Sequence, residues 1–329
     1  MTNPTLDVLA IGNAIVDVLA PVDEAFLGQQ GLAKGSMRLV DAGEATRLYA
    51  AMPRAREVSG GSAANTAAGV AALGGRAGFI GRVAHDDLGR IFAHDLRASG
   101  VAFETAPGPA TPPTARCLIA VTPDAQRTMS TFLGAAQELD AADMDDAHVA
   151  SAAILYLEGY LWDPERPRAA MRRAIDVARA AGRKVAFSLS DAFLLARHGD
   201  DFRALLSDGL VDILFANEVE AVALSGAADF DAAAAWLAGE APVAVITRGP
   251  EGATVLADGA RHAVAAAPVR QVIDTTGAGD LFAAGFLFGL ARGEALPRCA
   301  ELGAIAAAEV ISHFGARPEA DLKTLARVG

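Results

Sequence analysis

Six short apolar runs recur along the chain: LDVLAIG (6–12), RAGFIGRVA (76–84), AILYLEG (153–159), KVAFSLS (184–190), VDILFAN (211–217) and VAVITRG (243–249). Each is the length of a strand, and helical segments lie between them. GSAANTAAGVAALG (61–74) reads as a helix of small residues. DLGRIFAHDLRASG (87–100) reads as an amphipathic helix stopped by Gly100. PERPRAAMRRAIDVARAAG (164–182) is a third helix, with Pro164 in its first turn and Gly182 past its end. Strands that alternate with helices predict an α/β fold, a mostly parallel sheet covered on both faces. With 52% hydrophobic residues and a mean hydropathy of +0.29, the chain can fill such a core.

Two segments break the rhythm. Residues 14–45 and 101–133 hold β-like pieces (VAFETA, TARCLIAVT, QRTMSTFLG) with no helix between them. They predict a small accessory β-sheet set on a large domain made of residues 1–13, 46–100 and 134–329. A length of 329 residues suits that division. A small exposed sheet has edges that can pair, so a monomer and a homodimer formed through that sheet are both open.

The formal net charge of −12 argues against a nucleic-acid surface, which needs clustered Lys and Arg. It leaves room for a phosphate ligand, because backbone N–H groups at a helix N-terminus can hold one. The two cysteines, Cys117 and Cys299, form no CxxC pair and read as free thiols suited to a reducing cytoplasm. The first twenty residues carry Asp7 and Asp17 and no basic flank, unlike a signal peptide. No apolar run is long enough for a transmembrane helix, so no membrane partner is expected. No GxxxxGK[ST] occurs, and IGNAIVD after the first strand is not the GxGxxG of a dinucleotide site.

The stretch that carries chemistry is DTTGAGDLFAAGF, Asp274 to Phe286. A strand-like end leads into a small-residue turn and then a helix beginning near Asp280. The first N–H groups of a helix lack intrahelical partners, and Gly277 and Gly279 let a ligand approach the backbone. The turn is therefore a candidate anion hole. Asp280 reads in two ways, as a helix cap or as a base that takes a proton from a hydroxyl attacking the bound anion. Phosphoryl transfer needs the cradle and the base together.

DTTGAGDLFAAGF resembles the C-terminal signature of the ribokinase-like carbohydrate and nucleoside kinases, the PfkB family. GGSAANTAAGVAALGGRAGFIGRVAHDDLG (60–89) resembles that family's N-terminal signature. The resemblance implies a ribokinase-like α/β domain with a small β lid. It also implies transfer of the γ-phosphoryl group of ATP to a hydroxymethyl group, with Asp280 as base and the Gly277, Ala278 and Gly279 backbone as anion hole. Asp17 would accept hydrogen bonds from sugar hydroxyls, Gly60 and Gly61 would form a hinge against the sugar, and Asn65 would bond to substrate. Asn217 and Glu220, in NEVE, resemble the family's NxxE motif and would organise Mg²⁺ through water. Thr247, Gly249 and Gly252, in TRGPEGA, would lie around ATP, and His313 would border the adenine. Asp274, Thr276 and Gly315 correspond to segments that hold K⁺ in some members.

GNAIVDV, VDEAFLGQQGLAKGSMRLVD, QRTMSTFLGAAQEL and SLSDAFLLARH resemble the adenosine-kinase branch. This implies phosphorylation of a nucleoside 5′-hydroxyl, adenosine first. A sugar kinase acting on ribose, fructose or 2-keto-3-deoxygluconate is the alternative, and a non-catalytic sensor on the same fold is a third reading. Phe103, Phe132, Tyr160, Trp162 and Phe193 are the candidates to sandwich a purine, and each could equally be core.

Overall fold

The structure is a computed structural model and describes residues 3–124 and 126–328. Its strands are, in chain order, β1 (Leu6–Ile11), β2 (Ile15–Pro21), β3 (Met37–Leu39), β4 (Arg56–Gly60), β5 (Ala77–Ile80), β6 (Val101–Phe103) and β7 (Ala115–Val121). They continue with β8 (Arg127–Phe132), β9 (Ala152–Glu158), β10 (Lys184–Ser188), β11 (Ile213–Asn217), β12 (Val243–Thr247), β13 (Ala253–Ala257) and β14 (Ala260–Val264). Nine form one sheet in the order β14-β13-β12-β11-β10-β9-β1-β5-β6. It is parallel from β12 to β6, and β13 and β14 close one edge antiparallel.

Successive side chains of a strand point to opposite faces, and both faces here are apolar. Val8, Ala10, Phe79, Tyr156, Phe215 and Val245 pack beneath helices Ser62–Ala72, Asp87–Ala98, Ala278–Ala291 and Leu296–Val310. Leu9, Ile11, Leu155, Leu157, Phe187 and Ile246 pack beneath helices Glu165–Ala180, Ala192–Ser207, Glu218–Ser225 and Phe230–Glu240. The expected α/β layers are therefore present, and Phe103 and Trp162 are core residues in them rather than ligand walls.

The remaining five strands form the small sheet, in the order β3-β8-β7-β2-β4. Two strands fall on the other side of the boundaries read from sequence. Arg56–Gly60 pairs with β2 in the small sheet, and Val101–Phe103 pairs with β5 in the large one. Both are short, and partner choice rather than composition decides their sheet. Val16, Val18 and Leu118 pack with Leu48 of helix Ala42–Ala51, while Ala20 and Ala120 meet Leu27 of helix Glu24–Gln30. The opposite face carries Ile15, Asp17, Cys117, Met129 and Thr131 toward the large domain.

The chain crosses between sheets at Gly12–Ala14, pinned by the buried carboxylate of Glu158. Glu158 accepts from the Asn13 N–H and the Asn13 side-chain amide, each at 2.7 Å, and from the Ala63 N–H at 2.7 Å. Three charge-assisted bonds offset the cost of burying it, yet burial still pushes its carboxyl up to about 7.

Candidate active site

A cavity of about 470 Å³ lies between the small sheet and the carboxyl ends of β10, β11 and β12. Clefts outside the carboxyl ends of parallel strands, where strand order reverses, are the usual ligand sites of open α/β sheets. Here the order reverses at β1, which has β5 on one side and β9 on the other.

The helix Ala278–Ala291 points its N-terminus into this cavity. It begins two residues earlier than the sequence indicated, with Gly277 as N-cap at φ 79° and Asp280 in its first turn. An L side chain rarely adopts that φ, and a Cβ there would also meet the Ala316 Cβ at 2.7 Å. The Ala278 N–H donates to the Thr275 carbonyl at 3.2 Å. The N–H groups of Gly277, Gly279 and Asp280 have no protein partner among the described residues; relative to the expected anion hole, Asp280 stands in for Ala278, whose N–H is already bonded. Gly279 is open on the side where its side chain would stand.

The helix Ser62–Ala72 holds Asp280. Ser62 Oγ donates to Asp280 Oδ1 at 2.6 Å, Asn65 Nδ2 donates to Oδ2 at 2.9 Å, and Thr66 Oγ1 donates to the Asp280 carbonyl at 3.1 Å. Positions 62, 65 and 66 share one helix face. Close approach of the two helices requires small residues. A Cβ on Gly69 would meet the Ala284 Cβ at 2.6 Å and Leu281 at 2.7 Å. That is the packing reason for the alanine- and glycine-rich composition of 61–74. Burial pushes the Asp280 carboxyl above its ordinary range, against the Ser62 and Asn65 hydrogen bonds and the Arg317 charge. Asn65 Oδ1 is buried without a partner, so the amide can serve Asp280 with one end and a ligand with the other.

Asp17 lines the same cavity from β2. Burial, reinforced by Asp280 and Asp274, pushes its carboxyl up to about 6, with Arg317 and Arg127 opposing. Gly60 is opposite because a Cβ there would lie 2.4 Å from Asp17 Oδ2. Gly60 thus makes room for the acid and does not itself line the cavity, whereas Gly61, Ser62 and Asn65 do.

Asn217 and Glu220 also line it, but as a reciprocal pair. Asn217 Oδ1 accepts from the Glu220 N–H at 2.8 Å, Glu220 Oε2 accepts from the Asn217 N–H at 2.9 Å, and Asn217 Nδ2 donates to Glu220 Oε1 at 2.6 Å. This is a capping box at the start of Glu218–Ser225. Burial raises the Glu220 carboxyl to about 7. Thr247 reaches the cavity, but Gly249 and Gly252 do not; Gly252 sits where a Cβ would strike the Val264 carbonyl at 2.1 Å, the close approach of a tight turn. His313 lies elsewhere, in an open hollow with Val269, Arg270 and Ala308, its Nε2 3.1 Å from Glu309 Oε1. Asp274 and Gly315 are joined by a hydrogen bond from the Gly315 N–H at 2.8 Å, and Thr276 lines the cavity.

A second recess of about 310 Å³ shares Ile15, Ser62, Met129, Thr131 and Tyr160 with the first. Met37, Leu39, Leu133 and Phe193 complete its apolar walls, and Asn13 Oδ1, buried and without a partner, belongs to its lining. Of the five candidate aromatics, Tyr160 and Phe193 stand here, with ring centroids 6.2 Å apart. Phe132 instead lies against the Arg116 guanidinium.

Sequence reasoning missed Ser62, Arg127, Glu158 and Arg317. The spacing of Ser62 with Asn65 and Thr66 on one helix face was the available signal for the first. The others are set by contacts between segments far apart in the chain. Arg317 donates to the Ser59 and Ala64 carbonyls beneath the helix that holds Asp280.

A half-buried acid beside helix N-terminal N–H groups without protein partners among the described residues, facing a second acid across a cavity, has the parts that phosphoryl transfer uses. Residues 35–323 match the pfkB family carbohydrate kinases, and the chain belongs to that family. It is similar to the structure of an adenosine kinase from Sinorhizobium meliloti, at 50% identity and TM-score 0.91, covering 98% of this chain and 99% of that one. It is also similar to a probable sugar kinase from Rhizobium etli CFN 42, at 46% identity and TM-score 0.92, covering 99% and 98%. A fructokinase from Klebsiella pneumoniae is 30% identical over 242 residues, 72% of this chain and 78% of that protein. The chain is an ATP-using kinase of a small nucleoside or sugar. Among the described residues no single helix is long and apolar enough to cross a membrane.

Proposed function

We propose that the protein transfers the γ-phosphoryl group of ATP to the 5′-hydroxyl of a nucleoside, with adenosine the preferred acceptor. The observation that carries this reading is the apolar recess beside the two acids. Tyr160 and Phe193 offer rings, and Met37, Leu39 and Leu133 apolar contact, for a planar base, a surface that a free sugar does not need. The 50% identical adenosine kinase points the same way.

In this reading the base enters the recess and the ribose lies over Asp17, whose carboxylate accepts its hydroxyls. The 5′-hydroxyl then meets Asp280. Ser62 and Asn65 fix that carboxylate, which takes the proton as the oxygen attacks. The Gly277, Gly279 and Asp280 N–H groups hold the charge that develops on the moving phosphoryl group. Glu220 fits a water-mediated Mg²⁺ role, since each oxygen keeps a lone pair beyond its cap bond and the side chain lines the cavity. Bound there through water, Mg²⁺ would neutralise phosphate charge. The small sheet excludes water and so limits loss of ATP to hydrolysis.

The test is ADP release with adenosine, inosine, guanosine, ribose, fructose and 2-keto-3-deoxygluconate as acceptors. Adenosine is expected to give the highest kcat/KM. A free sugar outranking every nucleoside would refute the nucleoside assignment.

A further inference from the structure

The family resemblance implies a monovalent cation at Asp274, Thr276 and Gly315, and the donor set does not fit one. Asp274 Oδ1 accepts the Thr276 N–H at 3.0 Å, and Oδ2 accepts the Gly315 N–H at 2.8 Å while pairing with the guanidinium of Arg127. Arg127 Nη1 also donates to the Thr276 hydroxyl at 2.6 Å. The two charged side chains are 10% and 4% exposed. Gly315 turns its N–H, not its carbonyl, toward the carboxylate. A cation placed here would meet a fixed positive charge in a poorly screened setting, beside a carboxylate oxygen already shared between that charge and the Gly315 N–H. Arg127 comes from β8 of the small sheet, 147 residues before Asp274 (274 − 127), so its charge arrives from across the cavity.

We propose that the Arg127 guanidinium takes the place of a monovalent cation at Asp274. It is a positioning residue that shapes the Asp274–Gly277 turn from the small sheet and makes phosphoryl transfer independent of K⁺. A tethered guanidinium keeps a constant local concentration, its Nη1 donating to Thr276 and its charge set against Asp274, whereas K⁺ must be captured from solution. It also reports whether the small sheet is seated, because the turn is braced only when β8 is in place.

Two readouts test this, and only the second rests on the kinase reading. The first is the thermal midpoint of the ligand-free protein in KCl, NaCl and tetramethylammonium chloride at equal ionic strength. Wild type is expected to melt at one temperature in all three salts. Arg127→Ala is expected to melt lower and to recover part of the loss in KCl alone, as K⁺ enters the vacated place. The second is ADP release in the same salts. Wild type should be indifferent to the cation. Arg127→Ala should lose about tenfold or more in kcat through a misplaced turn and regain part of it with K⁺. Arg127→Lys should keep most of the rate. Wild type activated severalfold by K⁺, or an Arg127→Ala midpoint indifferent to K⁺, overturns the proposal. Should Arg127→Ala not fold, the wild-type and Arg127→Lys salt series decide it. If no acceptor yields ADP, the kinase reading fails while the melting series still decides the role of Arg127.

Discussion

Asp280 and Glu220 occupy the same place in two different helices, three residues past the N-cap. Glu220 follows an asparagine cap. It folds back onto Asn217, and cap and acid satisfy each other's donors and acceptors. Asp280 follows Gly277, which has no side chain to answer it and a φ of 79° that points the turn elsewhere. Its carboxylate is therefore held by a different helix, and the N–H groups that a capping side chain would have taken stay empty. One residue at the cap decides whether an acid in the first turn is held by its own helix or by a neighbouring one.

The sharpest way to break this contrast is to change one side chain at each helix start: the acid at one, the cap at the other. Asp280→Asn is expected to cut kcat by roughly 10²–10⁴, the range for a lost general base, with the fold intact. ADP release and a melting curve on the same sample check it; near-wild-type turnover would remove Asp280 from the chemistry. Asn217→Ala should show the opposite balance. Loss of the cap is expected to cost ~1 kcal/mol of stability, a fall in Tm on the order of 2–4 °C, with a smaller effect on turnover than Asp280→Asn.

The pH dependence sharpens the comparison further. On the proposed reading Asp17 must be ionised to accept sugar hydroxyls with both oxygens, so kcat/KM should fall as pH drops through about 6, not near 4. A profile flat down to pH 5 would detach Asp17 from the substrate. The smallest expected effect is on stability. A carboxyl whose folded pKa lies above its unfolded value of 3.8 binds its proton more tightly in the folded state. Stability is then greatest at low pH and is lost as pH rises from about 4 through about 6. Asp17→Asn should therefore melt higher than wild type at pH 8, and the gap should close below pH 4. An unchanged difference across that range would mean the carboxyl is not strained by burial.

The α/β alternation and the second sheet were legible in the sequence because each rests on local pattern, and the resemblance to two contiguous signatures picked out Asp17 and Asp280, which line one cavity. What was not legible depends on pairing across distance. Strand Arg56–Gly60 looks like any short polar strand until β2 accepts it. Phe103 and Trp162 differ from Tyr160 and Phe193 only in what surrounds them. The K⁺ expectation for Asp274 came from residues near one another in sequence, and Arg127, which commits that carboxylate, lies on another domain segment.

The contact between Gly69 and Ala284 has a consequence for anyone who surveys variants. Gly69 lines neither of the two recesses described above, yet it sets the spacing between the helix that carries Asp280 and the helix that grips it. An alanine or serine there would push the two apart and loosen Ser62 and Asn65 from Asp280. The resulting enzyme would score as catalytically impaired though its reacting groups were all retained. Loss of rate at a position in this seam is a measure of interhelical distance, and a compensating small residue at 281 or 284 would be the place to look for suppressors.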